Sequence, residues 1–126
     1  MIMRKSRKRI LIVDDEPHIC TILSKLFSSQ YYVDTANNGE EALEHLEDNA
    51  FSLMIVDMVM PKIQGSETIV TAHIRYPKMK IIAISGADDK ETYLKAARMF
   101  GATKVVTKPF KLDDFKTIVS DVLEPN

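Results

Sequence analysis

The chain of 126 residues is long enough for one domain with a buried core, and its 45% apolar and 28% charged residues exclude a disordered chain. No apolar stretch approaches the roughly 18 residues of a membrane span, and a single cysteine, Cys20, excludes an internal disulfide and favours a reducing compartment such as the cytoplasm. The net charge of −1 hides an acidic body, because the residues after position 9 include 12 basic and 18 acidic ones and carry a net charge of −6, which argues against binding of nucleic acid.

The basic charge is concentrated at the start of the chain. Residues 1–9 contain five basic residues and no acidic one. A short run of charge is most often a solvated tail, and no long apolar run follows it as in a secretory signal. We therefore expect a basic tail over residues 1–8 and a folded domain over residues 9–124.

Five short apolar runs recur along the chain at regular intervals. Three of them are continuous rather than alternating, which is typical of strands that are covered on both faces in a parallel sheet. We therefore predict five strands, at Ile10–Val13, Tyr31–Val33, Leu53–Val56, Ile81–Ile84 and Val105–Val106.

Segments with the helical spacing of apolar residues follow each of these runs. The third segment stops before Pro77, and Gly101 can end the fourth as its C′ residue. Because strand and helix alternate five times with short connections, the pattern predicts a doubly wound α/β sheet. The predicted helices are marked by Ile19–Phe27, Ala42–Leu46, Ile69–Ile74, Tyr93–Phe100 and Leu112–Val122.

Polar and charged side chains directly follow four of the five predicted strands. In a doubly wound sheet, ligands bind at the carboxyl ends of the strands, where the winding direction reverses. We therefore expect these side chains to meet at one edge of the sheet. They are Asp14 and Asp15 after the first strand, Asp57 after the third, Ser85 after the fourth and Lys108 after the fifth.

Three carboxylates gathered at one edge repel each other. At a separation of 4 Å and an effective dielectric constant near 20, each charged pair costs about 4 kcal/mol. A proton, Lys108 or a metal ion must offset this cost, and a ligand set made only of oxygen atoms favours Mg²⁺. In the alternative interpretation, Asp14 and Asp15 only cap a first helix that starts at Pro17.

A carboxylate next to Mg²⁺ and a lysine can attack phosphorus, and aspartyl phosphates are a known form of covalent catalysis. Phosphoryl transfer requires mainly alignment and positive charge near the transferred oxygens. Lys108 would supply charge, and Ser85 would supply a hydrogen-bond donor.

At this point the residues match a known family. From Arg9 to about Leu123, the chain resembles the receiver domains of bacterial response regulators, including the single-domain chemotaxis regulator. The resemblance implies a flavodoxin-like (βα)5 fold with a five-stranded parallel sheet in the order 2-1-3-4-5. It rests on Ile-Leu-Ile-Val-Asp-Asp-Glu-Pro at 10–17, Asp57 with Met60-Pro61 and Gly65, Ser85-Gly86, and Lys108-Pro109-Phe110.

The resemblance also implies a magnesium site and a phosphoacceptor. Asp57 would accept the phosphoryl group and contact the metal. Asp15 would bind Mg²⁺ directly, Asp14 would assist through water, and the backbone carbonyl of Val59 would be a further ligand.

The resemblance assigns the phosphoryl contacts to Ser85 and Lys108. Ser85 would bond to the phosphoryl group and move with it, which makes it a switch position. The Lys108–Pro109 peptide bond would be cis, a form that proline makes accessible.

For a chain of this family we expect a phosphorylation-dependent switch in a two-component phosphorelay. A histidine kinase or a phosphotransfer protein would be the donor, and the signal would pass as a change of surface through protein–protein contact. We expect a cytoplasmic protein that is a monomer or a phosphorylation-dependent dimer. It should bind neither nucleic acid nor membrane itself. It should assist its own phosphorylation and dephosphorylation but should not turn over a substrate as an enzyme does.

Three alternatives stay open at this stage. The chain could be the receiver fragment of a longer DNA-binding or enzymatic regulator. A phosphatase that uses an aspartyl phosphate usually needs a second acid two residues after the nucleophile, where this chain has Val59. A flavin or nucleotide module would need a glycine-rich or hydroxyl-rich loop after the first strand, where this chain has Asp14-Asp15-Glu16.

One switch position departs from the family pattern. Many receivers carry an aromatic residue three positions before the lysine, and this chain has Val105 there. We therefore predict a weaker or differently transmitted signal at the face formed by the predicted helix at Tyr93–Phe100, the last strand and the last helix. NMR spectra with and without a phosphate mimic test this prediction, and large shift changes centred on Val105 and Tyr93 would contradict it.

Overall fold

A computed structural model describes residues 7–58, 65–86 and 100–124, with the exception of the Ser66 side chain. The strands are β1 (Arg9–Val13), β2 (Tyr32–Ala36), β3 (Leu53–Asp57), β4 (Lys80–Ser85) and β5 (Lys104–Thr107). The helices are α1 (Pro17–Phe27), α2 (Gly39–Asp48), α3 (Gly65–Arg75) and α4 (Leu112–Leu123). The helix predicted at Tyr93–Phe100 lies outside the described residues except for Phe100, which is helical.

All five strands are parallel and form one sheet in the order β2-β1-β3-β4-β5. This confirms the predicted doubly wound sheet and its strand order. The register aligns the carboxyl ends of the strands, because Val13 pairs with Ala36 and Val56, and Asp57 pairs with Ile84. The residues that follow the strands therefore start from one common edge.

The sheet is covered on both faces, which explains why its central strands are continuously apolar. Alternate residues of a strand point to opposite faces, so each central strand contributes to two separate cores. One core combines Leu11, Val13, Met54, Val56, Ile81 and Ala83 with residues of α2 and α3. The other combines Ile10, Ile12, Leu53, Ile55, Ile82 and Ile84 with residues of α1 and α4.

The second strand differs from its prediction at both ends. It was predicted at Tyr31–Val33, whereas β2 runs from Tyr32 to Ala36 and includes Asp34. As an edge strand it is covered less completely, so it tolerates the polar Asp34, whose carboxylate pairs with Arg9 at 3.2 Å. Tyr31 instead packs its ring against Phe27, with ring centroids 6.1 Å apart.

The start of the described chain lies against the domain. The Lys8 ammonium donates to the carbonyl of Leu123 at 2.7 Å, at the end of α4. The Arg7 guanidinium donates to the carbonyl of Ser28 at 3.4 Å. These contacts involve the last two residues of the predicted tail; residues 1–6 lie outside the described part, and the tail boundary stays a prediction.

Two further features complete the fold. Gly101 has a φ of +112°, a conformation that favours glycine, and a side chain there would collide with the His73 ring. Among the described residues, no helix is both long and apolar enough to cross a membrane.

Candidate functional site

Backbone hydrogen bonds fix the segments that carry the predicted site residues. The amide of Asp14 donates to Ala36 at 3.1 Å, and the amide of Met58 donates to Ile84 at 2.8 Å. On the other side of the sheet, the amide of Lys108 donates to the carbonyl of Ser85 at 2.8 Å. The ladder of the sheet thus extends past the strand ends, so the backbone on both sides of the site is fixed.

The three carboxylates predicted to meet do meet. Asp14, Asp15 and Asp57 each place one carboxylate oxygen within 4.8 Å of the other two. Asp14 is 2% exposed and Asp57 is 7% exposed, whereas Asp15 is exposed. The cluster therefore has two buried members and one member that faces solvent.

Asp14 does not cap the first helix. The N-cap of α1 is Glu16, whose side chain makes no capping hydrogen bond, and Pro17 is the first helical residue. The Asp14 carboxylate instead accepts the amide N–H of Glu16 at 2.9 Å, which organises the turn that leads into α1. The alternative of a capping role is wrong for Asp14, since its second oxygen is directed to the cluster.

Lys108 approaches the cluster from β5. Its ammonium lies 3.5 Å from Asp57 Oδ2 and 3.7 Å from Asp14 Oδ2. Burial lowers the pKa of Lys108, but the charges of Asp57 and Asp14 outweigh burial and leave the pKa raised. Lys108 therefore keeps its positive charge at this site, although one ammonium group cannot balance three carboxylates.

The pKa of Asp14 reflects both its burial and its acidic neighbours. Burial is the main cause that raises the pKa of Asp14 above its ordinary value of 3.8, and the charges of Asp57 and Asp15 raise it further. The N–H of Glu16 and the charge of Lys108 lower the pKa without cancelling the rise. Three oxygen donors, excess negative charge and one side open to water fit a hard divalent cation such as Mg²⁺.

Ser85 carries a buried hydroxyl group on the strand next to the one that ends at Asp57. The residue is fully buried at the end of β4, next to Ile84, the register partner of Asp57. Its Oγ has no hydrogen-bond partner within the part of the chain that the structure describes, which among buried polar groups calls for an explanation. An oxygen atom that arrives with a ligand would provide the missing acceptor.

Other predicted positions have mixed outcomes. Val59, expected to offer a backbone carbonyl to the metal, lies outside the described residues. Val105 is half-buried and packs against the core on the α2–α3 side. The Lys108–Pro109 peptide bond is cis, the conformation that the resemblance implies.

The structure adds two contacts that the sequence did not predict. A Cβ atom at Gly65 would lie 2.2 Å from the carbonyl oxygen of Asp57, so the start of α3 presses against the backbone of the cluster. The Cys20 thiol donates to the carbonyl of Asp14 at 3.4 Å. Gly65 belonged to the motif that carries the resemblance, but only the tertiary contact explains why a glycine is needed there.

Comparison with known proteins gives consistent matches. A family model for the response regulator receiver domain matches residues 10–120. The chain is 36% identical over 118 residues to the alkaline phosphatase synthesis transcriptional regulatory protein PhoP of Bacillus subtilis, covering 92% of this chain and 48% of that protein. It is 33% identical over 117 residues to the regulatory protein AtoC of Escherichia coli, covering 92% and 25%. The chain thus spans about half or a quarter of the length of these relatives.

Solved structures agree with the sequence matches. A CheY-like response regulator receiver domain protein from Methanospirillum hungatei superposes with a TM-score of 0.88 at 30% identity, covering 94% of this chain and 95% of that one. The response regulator protein TrrA from Thermotoga maritima, in complex with Mg²⁺ and BeF, superposes with a TM-score of 0.81 at 36% identity, covering 92% and 99%.

We predict that the Asp14 charge destabilises the metal-free protein. Since folding raises the pKa of Asp14, the folded state binds the proton more tightly. The penalty in the free energy of unfolding is full above the raised pKa, decreases as the pH falls from the raised pKa toward 3.8, and is absent below 3.8. At neutral pH without Mg²⁺, Asp14→Asn should therefore raise the melting temperature. Glu44→Gln, which removes an exposed acid of α2, should not.

Mg²⁺ should reverse this order, because it stabilises the parent and binds the variant poorly. Differential scanning calorimetry with and without Mg²⁺ measures both effects. A metal-free Asp14→Asn protein that melts below the parent would contradict the prediction.

We also predict that Gly65→Ala disturbs the cluster. The three atoms nearest to the new methyl group would be backbone atoms of Asp57 and Met58, which cannot move aside as a flexible side chain would. We expect a loss of about 1–3 kcal/mol in the free energy of unfolding and weaker Mg²⁺ binding in a calorimetric titration. Gly86→Ala is the matched control, since a Cβ there meets no atom of residues 7–58, 65–86 or 100–124 within 4 Å. Equal effects of the two substitutions would count against the role of the Gly65 contact.

Proposed function

The chain belongs to the response regulator receiver domain family, and from this premise we propose that Asp57 is the phosphoacceptor of its switch. Members of the family are phosphorylation-dependent switches of two-component signalling. The observation that carries the proposal is the cluster itself, in which Asp57 lies with two further acids and Lys108. The buried hydroxyl of Ser85 belongs to the end of the neighbouring strand β4. The similar Thermotoga protein was solved with Mg²⁺ and BeF, which supports a metal beside the acids.

In the proposed reaction, a carboxylate oxygen of Asp57 attacks phosphorus and forms a new P–O bond. The bond from phosphorus to the donor atom breaks at the same time, and its electron pair leaves with the donor, which takes a proton from solvent. Mg²⁺ held by Asp14, Asp15 and Asp57 would supply positive charge to the carboxylates and to the phosphoryl oxygens.

The protein's own groups then hold the product. The Lys108 ammonium, already 3.5 Å from an Asp57 oxygen, is placed to pair with the phosphoryl oxygens. The Ser85 hydroxyl would donate to one of them and so gain the hydrogen bond that it lacks. This gain gives the phosphorylated state a contact that the unphosphorylated state does not have, as a switch requires.

We propose that the phosphodonor is a histidine kinase or phosphotransfer protein that docks beside the cluster. A largely apolar groove of about 540 Å³ lies between α1 and the start of α4, and Lys108 lines it. Two of its residues, Ile22 and Leu112, are each 42% exposed and line the same groove, so they present one apolar surface for a partner to cover. A protein seated in this groove would reach the pocket through Lys108.

The proposal for this chain is limited to the receiver switch. The curated relatives are longer and their names describe transcriptional regulators, so the activity of a whole regulator is not carried over. We propose that the chain signals through a changed surface and performs no turnover beyond its own phosphorylation and dephosphorylation. A cytoplasmic location suits the single free thiol of Cys20.

We expect one Mg²⁺-dependent phosphoryl addition when the protein is incubated with acetyl phosphate and weighed by intact mass spectrometry. Asp57→Asn should show none, because the amide is a poor nucleophile. Asp113→Asn removes an exposed aspartate of α4 and should behave like the parent. Phosphorylation of Asp57→Asn, or equal phosphorylation without Mg²⁺, would refute the assignment.

We also expect the groove to matter only for a protein donor. Ile22→Ser and Leu112→Ser should lower kcat/KM for transfer from a phosphohistidine protein about tenfold each, because each loses a buried apolar contact with the donor. Transfer from acetyl phosphate should stay at the parent's rate. Ile74→Ser is the matched control, since Ile74 is 73% exposed but lies on α3, away from the groove. Equal loss in all three variants would argue against docking at this groove.

A further inference from the structure

A second charged region lies at the opposite edge of the sheet, at the amino-terminal ends of its strands. Here a cavity of about 330 Å³ is lined by three lysines together with Ser52 and apolar residues of β-strand ends and α4. We call this region the lysine groove. It is formed by Lys8, Phe51, Ser52, Lys78, Met79, Lys80, Val122 and Leu123.

The positive charge of the lysine groove is not balanced locally. Lys8, Lys78 and Lys80 are exposed, and none of them forms an ion pair with any acid in residues 7–58, 65–86 or 100–124. Lys8 donates to the carbonyl of Leu123 at 2.7 Å, which fixes its position at the end of α4 while its charge stays uncompensated. The domain is otherwise acidic, with a net charge of −6 after position 9, so three unpaired lysines around one cavity stand out.

A largely apolar cavity of about 620 Å³ lies next to the lysine groove, between the ends of α2 and α3. The two cavities share the lining residues Phe51, Lys78 and Met79, so they lie side by side, and together we call them the channel. At the far end lie Glu47 and Asp48. Glu47 pairs with Arg75 at 3.6 Å, which leaves Asp48 as an acid that would repel an anion there.

We infer that this channel binds an extended segment of a partner protein in which apolar residues stand next to acidic ones. The acidic residues would lie over the three lysines, and the apolar residues would lie in the neighbouring cavity. Charge complementarity at one end and repulsion by Asp48 at the other would fix the direction of the segment.

Simpler ligands match the channel less well. A small anion would use the lysines alone and leave the larger, apolar cavity without a role. A nucleic acid would carry phosphate charge along its whole length, which Glu47, Asp48 and the acidic body oppose. An apolar and acidic protein segment is the chemistry that uses both parts.

The inference is independent of the phosphoacceptor. The lysine groove lies at the amino-terminal edge of the sheet, whereas the carboxylate cluster lies at the carboxyl-terminal edge. Lys78→Gln/Lys80→Gln should therefore accept a phosphoryl group from acetyl phosphate as the parent does. If Asp57 fails as phosphoacceptor, the binding experiment below is unaffected, and the reverse also holds.

The test is fluorescence anisotropy with a labelled peptide in which leucines precede a run of aspartates. The parent should bind this peptide, and the affinity should fall as salt is added. Lys78→Gln/Lys80→Gln should weaken binding about tenfold. Lys8 is left unchanged in this variant because its contact with Leu123 also holds the end of α4.

The matched control is Lys111→Gln/Lys116→Gln, which removes two exposed lysines that line neither cavity and should change the affinity less than about twofold. Peptides with asparagines for the aspartates, or serines for the leucines, should both bind more weakly than the parent peptide. Equal affinity for both lysine variants, no binding by the parent, or an unchanged affinity of either altered peptide would overturn the inference. So would displacement of the peptide by inorganic phosphate or by a single-stranded oligonucleotide at comparable concentration.

Discussion

The carboxylates of Asp14, Asp15 and Asp57 repel each other at one edge of the sheet, and the other features of the molecule either oppose that repulsion or make use of it. The fold holds their oxygens within 4.8 Å of one another and buries two of the three side chains, where water can screen them least. Lys108 compensates part of the charge, but burial, together with the charges of Asp57 and Asp15, still leaves the pKa of Asp14 raised. The pocket is therefore poised for a cation and for a group that the cation and the lysine can share.

The rest of the fold explains how this arrangement is kept. Two apolar cores pack against the two faces of the central strands. This packing prevents the strand ends from separating, so the repulsion among the carboxylates is not relieved. Hydrogen bonds from Asp14, Met58 and Lys108 to neighbouring strands continue the ladder beyond the sheet. The close approach of Gly65 to Asp57 adds a steric support from α3. Stability from the cores thus offsets an electrostatic cost at the site, which is a common division between scaffold and function.

The site connects to the surface through few groups. Lys108 contacts the cluster on one side and lines the α1–α4 groove on the other, so a change of charge at Asp57 acts on a residue that also faces a partner. The buried hydroxyl of Ser85 has no hydrogen-bond partner among the described residues, and the backbone carbonyl of Ser85 accepts a hydrogen bond from the amide of Lys108. A movement of Ser85 would therefore reach β5 directly, even though Val105 lacks the aromatic ring that is common at its position. The lysine groove lies at the other edge of the sheet, so the two ends of the strands carry charge of opposite sign and suit different partners.

Local signals in the sequence were sufficient to predict the sheet class and the meeting of the three acids with Lys108. Continuous apolar runs such as Leu53–Val56 predicted strands that are covered on both faces. Because sites form at the carboxyl ends of strands, Asp14, Asp57 and Lys108 were predicted to lie close together. Both signals are local, because they depend only on which residue follows which strand.

Other features depend on contacts between residues that are distant in the chain, and these features appear only in the folded protein. Because β2 lies at the edge of the sheet, its boundaries are Tyr32–Ala36 rather than the predicted ones. The packing of α3 brings Gly65 against Asp57. Lys8, Lys78 and Lys80 meet around one groove, which no pattern in the sequence predicts. Such contacts join residues far apart in the chain, so their distances are fixed only when the two cores are packed.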